Sequence, residues 1–294
     1  MSKKFIIKSL VFSIFAGVLF LAGCSGNGPA TPGEIILQEG DATALTELPP
    51  IWDVPERPEP ETVADQVRTN VLLQLTPLTP GELLVTMHTS MGDITMRFFP
   101  TEAPQAVENF LTHAWNGYYN GLNFHRVIDG FMMQGGCPEG TGAGGESIWG
   151  GSFGQELSGD LRHFRGALAM AQSAAPNSIG SQFYIVQSTD IDPNSYAQFR
   201  SFLEQQDEVW DYPDGSSVTV GEVFTEESLN HFINHGGTPF LDWHFSDNPH
   251  TVFGHVVSGM DVVDAIVSVP TQNDQPITPI TIDSFTFFTY RGGA

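Results

Sequence analysis

The sequence predicts a mainly β domain that closes on itself, with helices at its ends and a partly helical insertion. Three observations point there. Apolar and polar residues alternate in short runs, helical spacing is confined to a few stretches, and 31 Gly and 20 Pro among 294 residues punctuate the chain with turns.

The N-terminus reads as a targeting segment rather than as structure. Lys3, Lys4 and Lys8 precede an apolar run over residues 10–22, too short for a comfortable membrane span. It ends in Leu21-Ala22-Gly23-Cys24, which resembles the bacterial lipobox, in which the cysteine is acylated and becomes the new N-terminus. Residues 1–23 are therefore expected to be a lipoprotein signal peptide, and Cys24 the lipidation site that holds the protein on the outer face of the cytoplasmic membrane. Net charge is −23 for the whole chain; without the signal segment it is −26, with eight basic side chains against 34 acidic ones and no lysine. Such a surface argues against nucleic-acid binding. With Cys24 acylated, Cys137 has no disulfide partner, and the fold must rest on its core.

Residues 24–81 read as a tether. Pro49, Pro50, Pro55, Pro58 and Pro60 alternate with Glu56, Glu59 and Glu61, a composition that favours extended geometry, with room for a brief helix over 63–75. From 82 to 290 the pattern is that of a folded domain. Residues 83–99 alternate on either side of Ser90-Met91-Gly92-Asp93, a β-hairpin. Thr101 and Glu102 signal a helix start, followed by Val107, Phe110, Leu111, Ala114 and Trp115 at helical spacing and by Gly117 as a stop. Residues 183–186, 251–254 and 280–288 read as strands, and 260–267 as a helix burying Val263, Ile266 and Val267. An insertion spans about 192–239. Its Phe199, Phe202 and Leu203, then Leu229, Phe232 and Ile233, fall at helical spacing around an Asp214-Gly215 turn. His231 and His235 stand four apart, a metal-ligand spacing, but with no third ligand nearby in order they read as a solvated helix face.

Two segments concentrate unusual residues. One is Asn123-Phe124-His125-Arg126-Val127-Ile128-Asp129-Gly130-Phe131-Met132-Met133-Gln134-Gly135-Gly136; the other runs from Gly166 to Gln172 and from Pro176 to Ile185, with Gly180-Ser181-Gln182-Phe183-Tyr184 at its centre. Together with Leu241-Asp242 and Thr251-Val252-Phe253-Gly254 they make the chain resemble the cyclophilins, peptidyl-prolyl cis/trans isomerases, over about 83–288. The resemblance implies a closed eight-stranded antiparallel barrel capped by two helices, no cofactor, a monomer, and proline-containing polypeptides as substrates. It implies Arg126 as the catalytic residue, and Phe131, Met132, Gln134, Ala171, Gln172, Gln182, Tyr184, Phe240, Leu241 and His250 as the substrate groove. His125, beside the arginine, reads as structural support, since the reaction moves no proton.

The chemistry suits these residue types. Rotation about an Xaa-Pro bond faces a barrier of about 20 kcal/mol because amide resonance must be broken. A permanently charged donor aimed at the prolyl nitrogen helps the twisted state more than the planar one. The sequence departs from the family at Tyr184, where phenylalanine is common, at Phe240, where tryptophan is common, at Gln172, at Cys137 and in the insertion. Cys137 reads as either a redox-sensitive thiol or an inert buried one. Two further readings stay open on residues alone: a catalytically weak peptide-binding module using the same groove, and, resting only on acidity, a cation-binding envelope protein.

Overall fold

The structure, a computed structural model, describes residues 42–47, 62–175, 177–242, 246 and 248–292. The expected signal segment and Cys24 lie outside the described residues. The first half runs β1 (Ala42–Ala44), α1 (Val63–Val67), β2 (Leu83–Thr89), β3 (Gly92–Phe98), α2 (Pro104–Trp115), β4 (Arg126–Ile128), β5 (Met132–Gly135), β6 (Ala167–Met170) and β7 (Phe183–Val186). The insertion follows as α3 (Pro193–Glu204), β8 (Val209–Asp211), β9 (Ser217–Thr219), α4 (Val220–Val223) and α5 (Glu226–His235). The chain ends with β10 (Val252–Ser258), α6 (Met260–Val267), β11 (Thr271–Gln272), β12 (Gln275–Pro276) and β13 (Ile282–Tyr290).

Nine described strands form one antiparallel sheet in the order β1-β13-β2-β3-β10-β6-β7-β5-β4. The closed eight-stranded barrel expected from the sequence is therefore not what forms: the sheet is not closed by hydrogen bonds, and β1 and β4 are its free edges. Between the segment leading into β4 and the start of β13 only scattered bonds occur, from Gly121 N–H to Ile282 O, from Ile282 N–H to Leu122 O, from Phe124 N–H to Ile280 O, and an isolated bridge between Asn123 and Thr281. The reason is local. β4 has three residues, and its Val127 N–H is taken at 2.7 Å by Asp274 O in the turn of the β11–β12 hairpin, leaving no run of donors for another strand.

Strands β6 and β7 are buried on both faces, which is why they read as apolar runs rather than as alternating ones, and β5 is buried except at Gln134. Met133, Leu168, Met170, Phe183 and Ile185 enter the main core with Phe110 of α2 and Val263 and Ile266 of α6. Their neighbours Met132, Ala167, Ala169, Tyr184 and Val186 form a separate apolar layer on the opposite face. Helix α6 has the predicted bounds and buried residues. Helix α2 starts later than Thr101 suggests, and its cap comes from elsewhere: the Glu156 carboxylate accepts from Gln105 N–H at 3.0 Å and Ala106 N–H at 2.9 Å.

Residues 62–76, expected to belong to the tether, are packed as a strap against the domain. Ala64, Val67 and Leu72 share a satellite core with Phe164 and with Phe199, Phe202, Val220, Leu229 and Phe232 of the insertion. Gln74, 2% exposed, pairs with the backbone of Arg162 in both directions, accepting its N–H at 2.7 Å and donating to its carbonyl at 2.9 Å. Gly159 lets the strap approach this closely, since a Cβ there would lie 2.4 Å from Arg68 O. His231 is not on a solvated face: it is buried against Phe164 with ring centroids 4.3 Å apart.

Candidate active site

Arg126 opens edge strand β4 and faces Gln134 of β5 in the antiparallel register. Its side chain is 43% exposed, with the guanidinium carbon 5.9 Å above the Phe131 ring and Nε 3.5 Å from Asp274 Oδ2. Beside it runs a relay of two amides. Gln182 donates both amide hydrogens to the carbonyls of Gly142 (2.9 Å) and Gly144 (2.7 Å), so its Oε1 must be the acceptor for Gln134 Nε2 at 2.9 Å. The loop that supplies those carbonyls wraps Cys137, a buried free thiol. Burial raises the Cys137 pKa, but backbone N–H groups of Gly144, Thr141, Gly142 and Glu139 outweigh it and the net shift is downward.

The apolar residues expected to line the groove lie alongside. Met132 and Tyr184 are buried in the outer-face layer described above, and the partly buried Phe131, Ala171 and Leu241 pack against it, where the floor and walls of a slot for a prolyl ring are expected. Phe240 stands at the rim, 47% exposed, its ring 5.7 Å from that of Phe131. The Tyr184 hydroxyl finds its partner in His250 Nδ1 at 3.1 Å. Burial, and then the nearby His163, depress the His250 pKa to about 4, so the ring is neutral at pH 7. Behind Leu241, Asp242 Oδ1 accepts from the backbone N–H of His163 at 2.9 Å and lies 2.6 Å from its Nδ1, pinning the 3-10 turn Pro239–Leu241.

The structure thus brings together Arg126, Phe131, Met132, Gln134, Ala171, Gln182, Tyr184, Phe240, Leu241 and His250. Gln172 is placed differently. Its amide is spent within the protein, donating to Asn248 Oδ1 (3.0 Å) and Pro249 O (2.9 Å), where it steadies the approach to His250. His125 is buried beside the arginine. Burial and the Arg126 charge lower its pKa, and Gln182, although close enough to favour protonation, makes no well-aligned bond to either ring nitrogen. Gly135 and Gly136 serve close packing: a Cβ at Gly135 would meet the Phe124 ring at 3.0 Å. At Gly136 (φ +84°) a Cβ would lie 2.5 Å from Ser181 O, so this glycine lets β5 and the start of β7 close up behind the relay. Among the described residues no three His, Cys, Asp or Glu side chains are grouped to hold a metal.

The family model for cyclophilin-type peptidyl-prolyl cis-trans isomerases matches residues 84–211 and 216–287. The chain belongs to this family. It is an isomerase, acting on peptidyl-prolyl bonds. A Staphylococcus aureus protein that carries the name of a peptidyl-prolyl cis-trans isomerase is 42% identical over 205 residues, covering 69% of this chain and 91% of that protein. A Staphylococcus saprophyticus relative of the same name is 41% identical over 210 residues, covering 71% and 93%. A crystal structure of a Cryptosporidium parvum cyclophilin is similar with a TM-score of 0.50 at 26% identity, covering 72% of this chain and 99% of that one. Membership favours the enzyme over the docking module left open by the sequence. Asp274, which the sequence did not single out, is the carboxylate the structure sets beside Arg126: it lies 148 positions away, and only the Asn273-Asp274 pair signals a turn there.

Proposed function

We propose that this cyclophilin accelerates rotation about Xaa-Pro bonds in exported proteins, assisting their folding outside the cytoplasmic membrane while held there by acyl chains on Cys24. Arg126 is the catalytic donor. The observation that carries the reading is the placement of a half-exposed guanidinium over the Phe131 ring, beside an apolar slot floored by Met132 and Tyr184. A prolyl ring seated in the slot would leave its nitrogen toward the arginine. As the amide twists, that nitrogen gains a lone pair, and a fixed charged donor stabilises it at the moment it forms. Gln134, oriented by Gln182, holds the substrate backbone. The slot needs no acid or base, and a neutral His250 fits that requirement.

The catalytic reading is tested with the full chain by NMR exchange between cis and trans isomers of a short Xaa-Pro peptide. Arg126→Ala is expected to lower kcat/KM roughly 10²–10³-fold, the cost of one such transition-state donor. A variant within about threefold of wild type removes Arg126 from the mechanism. The location rests on the order of charge, apolar run and cysteine at the N-terminus. Growth with labelled palmitate should mark the wild-type protein and not Cys24→Ser; an unlabelled, freely released wild type ends that part of the proposal.

A further inference from the structure

We propose that Asp274 is a positioning residue for isomerisation, gripping Arg126 by its Nε edge so that the terminal nitrogens stay free for the prolyl group. This rests on the reading of Arg126 as the catalytic donor. The arginine sits on a free edge strand of three residues, and its long side chain has many rotamers to lose. What restrains it comes from the β11–β12 hairpin. Thr271 pairs with Pro276 and Gln272 with Gln275, so Asn273 and Asp274 form a two-residue turn with both φ angles positive, 53° and 63°.

That turn touches β4 twice. The Asp274 carbonyl takes Val127 N–H at 2.7 Å, and the Asp274 carboxylate lies 3.5 Å from Arg126 Nε. Backbone and side chain of one residue therefore clamp two consecutive residues of the strand. Among the described residues Asp274 is the carboxylate that pairs with Arg126. The Phe131 face lies under the guanidinium carbon, so the plane is held at one edge and one face. The Nη groups, with most of the guanidinium's donors, are left for substrate.

The pair is about half exposed on both sides, which limits its worth. Exposed ion pairs of this kind change equilibria by about two- to fivefold and weaken with salt. Because the arginine acts on a lone pair present only in the twisted state, the loss should fall on kcat and not on KM.

The test compares the full chain with Asp274→Gly and Asp274→Asn, both of which tolerate the left-handed backbone. With an uncharged Xaa-Pro peptide, Asp274→Gly is expected to lower kcat about two- to fivefold with KM unchanged. Asp274→Asn, which keeps a carbonyl oxygen near Nε but not the charge, should recover at most part of the loss. Salt at about 0.5 M should slow wild type toward the glycine variant. The Arg126 Nε–H should exchange with solvent faster in the glycine variant, a readout that a general loss of stability would not confine to this nitrogen. Unchanged or raised kcat in Asp274→Gly, or an effect on KM alone, overturns the proposal. Arg126→Ala run in parallel separates the two failures: an inactive arginine variant beside a fully active glycine variant sinks Asp274 alone, whereas an active arginine variant sinks the assignment of both.

Discussion

Replacing Thr69 by valine removes a single oxygen from the strap with little change in volume, and the structure sets its cost. Thr69 Oγ1 lies 2.9 Å from the carbonyls of Gly159 and Val223 and accepts from Arg162 Nη2 at 2.5 Å. Arg162 is 1% exposed, its Nε has no partner, and with the hydroxyl gone Nη2 keeps only Val223 O. A hydrogen bond to a buried charge contributes about 1.5–3 kcal/mol, so Thr69→Val should cost about 2 kcal/mol. For a domain of this size each kcal/mol shifts Tm by about 2–4 °C, giving a drop of about 4–8 °C in thermal unfolding of the full chain. Isomerase activity well below the transition should be unchanged, because Thr69 makes no contact with the groove. A Tm within about 1 °C of wild type would mean that the strap is a passenger and that Arg162 is satisfied without it.

Two further outcomes are expected. Tyr184→Phe deletes the hydroxyl bonded to His250 and should cost about 1 kcal/mol, while kcat/KM stays within about threefold of wild type; a loss near 10²-fold would give the hydroxyl a part in the transition state. The second concerns acid. Burial first of all holds His231 and His250 at about 4 and His255 at about 3, below the ordinary histidine value of 6.5. The unfolded chain therefore binds more protons in that window. The stability contributed by these neutral rings is complete above pH 6.5 and is lost as pH falls toward 4, and toward 3 for His255, by at most about 1.4 kcal/mol per pH unit per ring. Urea midpoints at pH 7 and pH 5 check this, and equal midpoints contradict it.

The parts of the site that were legible lie in contiguous stretches. Arg126 and Gln134 are eight apart, and the hairpin between them makes them cross-strand partners, so a motif in the sequence is also a motif in space. The insertion helices could be read because Phe199 and Phe202, then Leu229 and Phe232, face one satellite core at helical spacing. The packing of the strap could not, although α1 falls within the brief helix expected over 63–75. Its α1 spans five residues, its buried set is Ala64, Val67, Thr69, Leu72 and Gln74, and the prolines before it argue for a linker. Its stability comes from tertiary bonds such as Gln74 to Arg162, which leave no local periodicity. The cap of α2 was hidden for the same reason, since Glu156 lies about 50 residues beyond the helix start. Closure of the sheet was overestimated because strand signals count strands without showing whether the first and last ones pair. His231 was misplaced because four-residue spacing says which residues share a helix face, not what that face packs against.

The free edge at β4 separates two demands that a ring of strands would have coupled. The slot floor belongs to β5 and β7, locked by neighbours on both sides, whereas the arginine belongs to a strand steadied from outside by a short hairpin tip. Residues 273–275 reach that strand through the Asp274 carbonyl and carboxylate, so a change of charge at the tip would act on the arginine before it acted on the slot floor. For an engineer the hairpin tip is the place from which to vary Arg126 while Met132 and Tyr184 are left untouched, and a library confined to those three positions would sample that range.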